Sequence, residues 1–543
     1  MKAERPALKG PLAIPAFRAI WLGFALSSFG GMVQGVGAAW LMTSIAGSAD
    51  WIALVQASTT LPVMLFSIFA GALADNFDRR RIMLVAQTFM FAASLLLVAL
   101  TQWGVMTPVL LLGFTFLIGC GTALNNPAWQ ASIGDVVPRA QVPAAVSLNS
   151  VAFNISRSVG PALGGLVVAT AGVVAAFAIN AVSYVALIAA LLRAGPRKAA
   201  DPLPREHLGA AVATGLRYVF MSPNIEIILL RAFLFGFAGV SLQALLPVVA
   251  RDALQGGPLV FGALLGAFGF GAVIGGLFGR QVRDRLSGEW YVRACILAFA
   301  AALAAISLLH NLPLAMVAMT FAGASWLLTL SFLNISVQLA TPRWVVGRAL
   351  AAYQTAAFGG MALGSWLWGV VAENWGIDAA LQLASLAMLV GAAAGLRFAV
   401  PSLSHSNLDP VNRFQEPQLE IDLQQRSGPI VISVEYSIPA ARLSEFLRAM
   451  AERRRVRRRN GAVEWTLMRD LENADLWVET YHVANWTEYL RHHRRTTHVD
   501  AEVTDILLAL HAGPDRPKVR RMLVRPPRSV GTAPTAQDPT QFG

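Results

Sequence analysis

Long apolar runs fill the first 400 residues of the chain and constrain its fold more than any other feature. A helix needs roughly 20 apolar residues to cross about 30 Å of hydrocarbon. With 55% hydrophobic and 14% charged residues, the chain also falls outside the composition of ordinary soluble proteins. The sequence predicts twelve transmembrane helices, whose runs start near Phe17, Trp51, Ile82, Pro108, Ala145, Val173, Pro223, Phe261, Tyr291, Leu314, Val345 and Ala379.

The basic residues predict how these helices are oriented, because short loops rich in Lys and Arg stay in the cytoplasm. Twelve spans with an inner N-terminus place fifteen basic residues in inner loops, from Arg79 to Arg348, and only Arg251 in an outer loop. Shifting the helix count by one removes this segregation. Both termini are therefore predicted to lie in the cytoplasm.

An offset of 204 residues superposes the first half of the membrane part on the second. Repeats of this kind are typical of secondary transporters. The predicted fold class is therefore an all-α membrane protein of two parallel six-helix repeats, residues 1–193 and 223–400, joined by a cytoplasmic loop at 194–222. This is the architecture of the major facilitator superfamily, which the sequence resembles. The matched pairs include Arg79 with Arg283, Arg81 with Arg285, Gly160 with Gly364 and Gly172 with Gly376.

One loop carries the most specific resemblance to this superfamily. Residues 71–81 are similar to its cytoplasmic gating motif, which implies gating roles for Gly71, Asp75, Arg79, Arg80 and Arg81. Asp75 is expected to face the positive N-terminus of the eleventh helix, a pairing worth roughly 0.3–1 kcal/mol. Arg79 and Arg80 are expected to hold its carboxylate. The alternative is that these arginines only follow the positive-inside rule.

Several stretches resemble bacterial transmembrane secretion effectors, including enterobactin exporter-like proteins, and this resemblance implies export. They are Ser28-Phe29-Gly30 with Gln34 and Trp40, residues 126–131, residues 137–139, and residues 144–150 leading to 157–165. The last stretch is also similar to the fifth-helix motif of proton-coupled antiporters, which implies gating roles; plain helix packing is the alternative. The fourth helix departs from drug antiporters, because Phe116 stands where they carry an arginine. The fifth-helix gating candidates are Gly160, Pro161, Gly164 and Gly165.

Charged side chains inside the bilayer cost several kcal/mol and usually mark function. Arg157 lies about 12 residues into the fifth helix, roughly 17 Å deep and close to the midplane. No Asp or Glu falls at the midplane of any predicted span, so an anionic or hydroxyl-rich solute such as a catecholate siderophore suits the site better than a lipophilic cation. The alternative is that Arg157 only pairs with helix carbonyls or Asn154. The substrate or coupling candidates are Arg157, Asn154, Gln34, Glu226 and Arg231.

The chain beyond residue 400 is predicted to be soluble, with a linker at 401–428, a folded domain at 429–525 and a disordered tail at 526–543. The domain has the element order β-α-β-β-α-β, which is typical of an α+β ferredoxin-like fold. It is similar to antibiotic-biosynthesis-monooxygenase domains, which implies a homodimer formed through this domain. The predicted strands are 430–436, 463–470, 476–483 and 519–524. The predicted helices are 440–458 and 486–498, with 486–510 as the longer alternative for the second.

Two groups of residues in this domain have competing interpretations. The tryptophans 465, 477 and 486 with the histidines 492, 493 and 498 indicate either core packing or a haem, metal or oxygenase site, although their spacing matches no defined metal motif. The arginines at 453–455 and 457–459 indicate binding to anionic headgroups or simple exposure to solvent. A nucleic-acid partner is not predicted for a domain tethered beneath a membrane.

The sequence thus predicts a multi-pass secondary transporter of the bacterial inner membrane, which exports a small molecule by alternating access. Its partners are the lipid bilayer, the substrate and protons, and proton coupling requires a peripheral acid such as Asp75, Asp135 or Glu226. The tail is expected to regulate or dimerise it, and no enzyme activity, cofactor or metal is expected. The alternatives are a proton-coupled multidrug antiporter and a bifunctional transporter whose tail has monooxygenase or haem-binding activity.

Overall fold

The computed structural model describes residues 10–138, 141–194, 208–342, 344–401 and 427–524, together with 408, 411, 417, 419–421, 423 and 424. The chain divides into two compact units. The membrane unit comprises Met1–Val212, Asn224–Val337 and Gly347–Ser402, and the tail unit comprises Ala213–Pro223, Gln338–Val346 and Leu403–Gly543. The predicted disordered tail and most of the predicted central loop and linker lie outside the described residues.

The membrane unit is built of long apolar helices. Eleven of them, in the described part of the chain, are long and apolar enough to cross a membrane, so the predicted multi-pass character is confirmed. The short α6 is not among these spans, and most of it belongs to the tail unit. The helices are α1 (Pro15–Ile45), α2 (Ala49–Asn76), α3 (Arg79–Gln102), α4 (Pro108–Val136), α5 (Val142–Ala194), α6 (Leu208–Phe220), α7 (Pro223–Val248), α8 (Pro258–Arg283), α9 (Gly288–Leu308), α10 (Leu312–Leu339), α11 (Val346–Trp375) and α12 (Ile377–Ala394).

The difference between eleven spans and the twelve predicted lies in α5. This element contains 53 residues, which at 1.5 Å per residue is about 80 Å, far more than one crossing requires. Gly172 interrupts this helix with φ +79° and ψ 172°, a backbone conformation that residues other than glycine rarely adopt. The sequence predicted separate helices starting near Ala145 and Val173. The structure places both stretches in α5, where the non-helical backbone of Gly172 separates them.

Both parts of α5 pack against α1, and glycines permit the close approach. A Cβ at Gly160 would lie 2.7 Å from Cβ of Met32, and one at Gly164 would lie 3.3 Å from Cβ of Val36. The second part of α5 follows α1 in the reverse direction, since Phe177 contacts Gly37 and Leu187 contacts Gly23. Gly160 and Gly164, two of the predicted gating residues, therefore pack within the N-terminal half.

The tail unit contains a four-stranded antiparallel sheet with the order β2-β3-β1-β4. Its elements agree with the predicted strands and helices, except that the predicted helix from Trp486 is two helices. Thr497 starts the second of these by a capping box with Asp500. The elements are β1 (Ile430–Ser437), α13 (Leu443–Arg459), β2 (Val463–Arg469), β3 (Leu476–Val483), α14 (Trp486–Arg494), α15 (His498–Leu510) and β4 (Lys518–Leu523).

The core of the tail unit lies between the sheet and its helices. Alternate residues of β1 and β3 point into it, as expected of strands with one covered face. The largest of its buried aromatic side chains are Tyr436, Phe446, Tyr481 and Tyr489, each at most 3% exposed. The same unit includes Tyr218 and Trp344, whose rings meet edge to face at 5.5 Å between centroids.

Candidate functional site

Helices of both halves enclose a cavity of about 610 Å³ in the membrane unit. Helices α1 to α5 form one side of its wall, and α7, α8, α10 and α11 form the other. The wall is mostly apolar, and the rings of Phe24, Phe261, Phe268 and Trp326 contribute to it. A cavity between two repeats is where secondary transporters bind their substrates. This cavity is therefore the candidate site.

Arg157 supplies the charge of this cavity. Among the described residues that line it, Arg157 is the only charged side chain. Its guanidinium lies over the ring of Phe268, 5.5 Å from the ring centroid. No carboxylate forms an ion pair with it in the described ranges of the membrane unit. Because arginine stays protonated and carries five donors, the cavity offers a cation without a protein counter-ion.

Amide side chains make the rest of the wall polar. Gln34, a predicted substrate residue, lines the cavity and is 5% exposed. Its Oε1 accepts hydrogen bonds from Asn180 and, at 3.3 Å, from Ser94, so the buried network fixes the orientation of its amide. Three further lining residues each have a buried amide atom with no hydrogen-bond partner among the described residues. They are Gln87, Asn125 and Gln243.

The two halves meet along the part of α5 that carries Arg157. Pro161, which also lines the cavity, has no N–H to donate to the carbonyl of Arg157 four residues earlier. The backbone of Gly269 in α8 lies against this carbonyl, where a Cβ would be 2.7 Å from the oxygen. Further along, a Cβ at Gly165 would be 2.8 Å from Cα of Gly262. Of the predicted fifth-helix gating residues, Gly165 therefore lies at the contact between the halves.

The arginines of the predicted gating motif bind partners within the N-terminal half. Arg79 forms an ion pair with Asp135 at the end of α4, with 2.7 Å between Nη1 and Oδ2. Arg80 donates to the carbonyls of Leu191 and Leu192 at 2.8 and 2.7 Å, which are the last turn of α5. Cations at a helix C-terminus stabilise its unpaired carbonyls. These two arginines thus join the turn after α2 to the ends of α4 and α5.

The rest of the motif shapes the turn between α2 and α3. Asp78 caps α3 by accepting hydrogen bonds from the backbone N–H groups of Arg80 and Arg81, at 2.8 and 3.3 Å. A Cβ at Gly71 would meet no atom within 4 Å, so packing does not require glycine there. The side chain of Asp75 lies outside the described residues. Its pairing with α11, and its contact with Arg79 and Arg80, therefore stay predictions.

Arg231, a predicted substrate or coupling residue, is not in the described cavity wall. It is 3% exposed, donates to the carbonyl of Gly391 at 2.6 Å and pairs with Glu289 at 3.3 Å. Glu289 also pairs with Arg293 at 2.7 Å. The structure thus places Arg231 in a buried ion cluster that joins α7, α9 and α12. Sequence reasoning missed this because Glu289 is 58 residues away along the chain.

Two other predicted residues also lie away from the cavity. Glu226 is exposed in the first turn of α7. Asn154 donates from Nδ2 to the carbonyl of Ser150, 2.9 Å away in its own helix, and does not contact the cavity. Among the predicted substrate residues, only Gln34 and Arg157 are therefore in the described cavity wall.

The tail unit buries an ionic cluster around Glu479. This carboxylate is fully buried and pairs with Arg457 at 3.4 Å and Arg453 at 3.6 Å. It also accepts hydrogen bonds from Trp465 at 3.0 Å and Tyr436 at 3.3 Å. Burial alone would raise the pKa of Glu479, but the two arginines outweigh burial and hold its pKa below the ordinary value.

The histidines of the tail have the opposite electrostatic situation. Burial and the neighbouring Arg457 lower the pKa of His493 to about 3 and hold the pKa of His492 well below its ordinary value. Arg457 lies 2.9 Å from Nε2 of His492, which requires this nitrogen to be the unprotonated acceptor. No group of three metal-binding side chains occurs among the described residues.

The predicted exposure of the tail arginines is wrong for half of them. Arg453 and Arg457 point into the core, and Arg459 pairs with the buried Asp500. Their spacing of four places Arg453 and Arg457 on one helix face, a signal present in the sequence. Arg454 lies over Trp465, 5.7 Å from its centroid.

Other contacts of the tail unit involve the segments 213–223 and 338–346. Arg459 lies over Tyr218, 5.0 Å from its centroid, and Arg495 lies over Trp344 at 4.5 Å. Arg455 donates to the carbonyl of Met221 at 3.3 Å. Three arginines of the folded tail thus contact residues that precede α7 and α11 in the chain.

Several functional candidates escaped sequence reasoning. Gln87, Asn125 and Gln243 line the cavity, and the signal for them was a polar amide inside an otherwise apolar run. The buried Trp129 belongs to a stretch that carried the family resemblance, but it stacks on Phe24 and donates to Asn149 at 2.8 Å. That part of the resemblance therefore reflects packing.

Comparison with known proteins agrees with this architecture. A family profile described as "Transmembrane secretion effector" matches residues 7–528 of the chain. The multidrug efflux pump Tap of Mycobacterium tuberculosis is 25% identical over 430 residues, which cover 76% of this chain and 99% of Tap. The staphyloferrin A transporter of Staphylococcus aureus is 26% identical over 259 residues, or 46% of this chain and 64% of that protein. Macrolide efflux protein A of Streptococcus pyogenes is 25% identical over 267 residues, or 48% and 65%.

Solved structures share the fold at low sequence identity. A bacterial homologue of the human lysosomal transporter Spinster, in an inward-facing and occupied conformation, has a TM-score of 0.57 and 15% identity, covering 72% of this chain and 97% of its own. A POT family transporter in complex with a thioalcohol-conjugated peptide has a TM-score of 0.58 and 11% identity, covering 71% and 96%. These likenesses show the fold of the membrane unit.

Proposed function

Because the chain belongs to the transmembrane secretion effector family of major facilitator transporters, we propose that it exports a small anionic or hydroxyl-rich solute by alternating access. The observation that carries the proposal is the unpaired guanidinium of Arg157 in a cavity between two halves. An anionic group of the substrate would replace the missing counter-ion. The aromatic rings of the wall suit a substrate with an apolar or aromatic body, such as a catecholate siderophore.

We propose twelve crossings for the membrane unit, with both termini in the cytoplasm of a bacterial inner membrane. The reversal of α5 at Gly172 supports two crossings within that element, because its two parts follow α1 in opposite directions. The clustering of arginines at the ends predicted to be inner supports the orientation. Export is also supported by the efflux names of two relatives, Tap and macrolide efflux protein A.

Coupling to protons requires an acid outside the cavity, since no carboxylate lies among the described residues of its wall. Asp135 is the candidate that the structure favours, because it is bound to Arg79 of the predicted gating motif. Protonation would remove its charge and weaken that ion pair. Exchange of Asp135 for Asn is expected to abolish the effect of a protonophore on transport; an unchanged effect would exclude this residue.

We further propose that the tail is a ferredoxin-like domain that regulates the membrane unit. Its element order and the sheet order β2-β3-β1-β4 support the assignment. Its arginine contacts with Tyr218, Met221 and Trp344 support regulation, since these residues immediately precede α7 and α11 in the chain. Dimerisation through the tail is the second candidate. Transport by a chain with a destabilised tail is the test of regulation.

Uptake into everted inner-membrane vesicles tests the proposed substrate class. The comparison is between an iron-free catecholate siderophore and a lipophilic cationic dye, each with and without a protonophore. We expect the parent protein to take up the siderophore. Arg157→Gln should lower the apparent affinity about 10- to 100-fold, because the substrate loses a charge-assisted hydrogen bond. Arg157→Lys should retain part of the uptake, because it keeps the charge without the bidentate geometry.

The matched control is Arg448→Gln, which removes an exposed arginine of α13. It should transport as the parent does. Uptake of the dye alone, or siderophore uptake that Arg157→Gln leaves unchanged, would contradict the proposal and favour the multidrug alternative that the name of Tap supports.

A further inference from the structure

The turn between α1 and α2 is held by two charged side chains from the other half of the membrane unit. Arg251 lies in the short π-helical segment that follows α7, and it donates to the carbonyls of Thr43 and Gly47, each at 3.1 Å. Glu373, in the last turn of α11, accepts a hydrogen bond from the backbone N–H of Ala49 at 2.8 Å. All three contacts bridge the two halves.

The sign of each charge matches the helix end that it meets. Helix α1 ends at Ile45, so the carbonyl of Thr43 belongs to its negative end, and Gly47 lies in the turn just beyond it. Helix α2 begins at Ala49, whose N–H belongs to its positive end. Arginine therefore binds the C-terminus of one helix and glutamate the N-terminus of the next. Chance contacts between two halves would not be expected to match twice at one turn.

Internal symmetry places this contact at the junction between the repeats. Gly47 and Arg251 are 204 residues apart, which is the offset that superposes the two halves. Equivalent positions of two repeats touch each other only near their pseudo-symmetry axis. Asp252 pairs with Arg251 at 2.6 and 2.9 Å and orients the guanidinium towards the turn. A residue at Gly47 with a side chain would be strained, because its φ is +75°.

We propose that Arg251 and Glu373 form a latch that closes the membrane unit at the end predicted to be outer, and that substrate release requires this latch to open. The proposal rests on the proposed function, since it assumes alternating access. Opening that end separates the halves, so all three hydrogen bonds break together. The latch thus sets the fraction of molecules whose cavity is open to the outside.

Thiol labelling from the outside measures that fraction without any substrate. The reporter is Ala39→Cys, a cavity-lining position, in a chain carrying Cys120→Ala and Cys295→Ala. A membrane-impermeant maleimide is added to intact spheroplasts. We expect Arg251→Gln and Glu373→Ala each to speed labelling about two- to fivefold, the size expected of one charge at a helix end. Arg251→Lys should lie between Arg251→Gln and the parent.

The matched control is Asp378→Asn, which removes an exposed ion pair with His310 at the same end of the unit but within one half. Its labelling rate should equal that of the parent. Equal rates for Arg251→Gln, Glu373→Ala and the parent would overturn the latch, provided each variant elutes as a folded protein. Faster labelling together with no transport of any anion would instead keep the latch and refute the proposed substrate class.

Discussion

Two arginines, Arg157 in the cavity wall of the membrane unit and the buried Arg457 in the tail unit, have similar aromatic neighbours but opposite electrostatic surroundings. Arg157 lies over Phe268 at 5.5 Å, and Arg457 lies over Tyr481 at 4.3 Å. Arg457 also pairs with Glu479 at 3.4 Å, whereas Arg157 has no carboxylate partner in the described chain. A guanidinium that the protein has neutralised is part of the scaffold. One that it leaves unpaired in a cavity is available to a ligand.

The cost of removing an ion from water explains why an arginine can serve either as part of the scaffold or as a ligand-binding group. Taking an ion out of water costs several kcal/mol, and a partner with additional hydrogen bonds offsets this cost. In the tail, Glu479 has four such neighbours and two of them are arginines. In the membrane unit the cost is retained until an anion enters. Removing one partner should therefore damage the tail cluster and spare the stability of the cavity.

The largest effect is expected for Glu479→Gln, which removes the charge and keeps the shape. Two buried arginines would then lack a counter-ion, and breaking a buried pair in this way typically costs about 3–5 kcal/mol. Hydrogen exchange of the full-length protein measures the effect, through the protection of peptides that cover β1 and β3. Protection should fall in these strands and remain unchanged in α1 to α5.

Glu464→Gln is the matched control, because Glu464 is an exposed residue paired with His482 in the same sheet. It should change stability by less than about 0.5 kcal/mol. Equal protection in the two variants would show that the Glu479 cluster contributes no more than a surface pair. Transport can also be measured in vesicles that contain the Glu479→Gln variant. If the tail regulates the membrane unit, the transport rate should change when the tail is destabilised.

Acid is expected to act on the tail histidines, and over a single pH unit its effect is smaller than that of Glu479→Gln. Burial lowers the pKa of His493 to about 3 and lowers the pKa of His492 as well. Below about pH 6.5 the unfolded chain takes up protons on these histidines while the folded tail does not. The free energy of unfolding should therefore decrease as the pH is lowered below about 6.5, by at most about 1.4 kcal/mol per pH unit for each histidine. For His493 this decrease should end near pH 3.

Hydrogen exchange of α14 and α15 as a function of pH, corrected for the intrinsic exchange rate, checks this expectation. The double variant His492→Gln with His493→Gln should lose most of the pH dependence in that window. His482→Gln is the control, since that histidine is partly exposed and pairs with Glu464. A double variant with the parental slope would assign the acid sensitivity to other groups.

The positions of the helices could be predicted from the sequence more reliably than the partners of charged residues. The lengths of apolar runs predicted the spans because hydrocarbon thickness fixes a minimum length. They also predicted a new helix starting near Val173, next to the break in α5 at Gly172. Depth along a helix suggested a functional Arg231, but depth does not reveal a counter-ion. Glu289 supplies it from another helix.

Only some of the cavity residues and ion pairs could be predicted, because the sequence shows where a charge lies along a helix but not which residue contacts it. Arg157 could be found because a charge near the midplane of a span is conspicuous, and in the structure Arg157 lines the cavity. The ion pair of Arg79 with Asp135 joins residues 56 positions apart, which no local pattern specifies. The latch residues Arg251 and Glu373 lie near the ends of α7 and α11, and a single charge there does not reveal its partner in the other half.

The smallest effect on stability is expected for Arg157→Leu, and it completes the comparison. The substitution removes an unpaired charge and its contact with Phe268, so the loss of a weak cation–π interaction opposes the relief of burying a charge. Thermal unfolding of the detergent-solubilised protein should therefore be unchanged or slightly shifted upward, within about 1 kcal/mol. Arg231→Leu is the matched variant, because it removes a buried arginine that is paired with Glu289, and it should lower the stability clearly. A strong destabilisation by Arg157→Leu would mean that Arg157 has a structural partner, and it would then no longer be the free cation of the cavity.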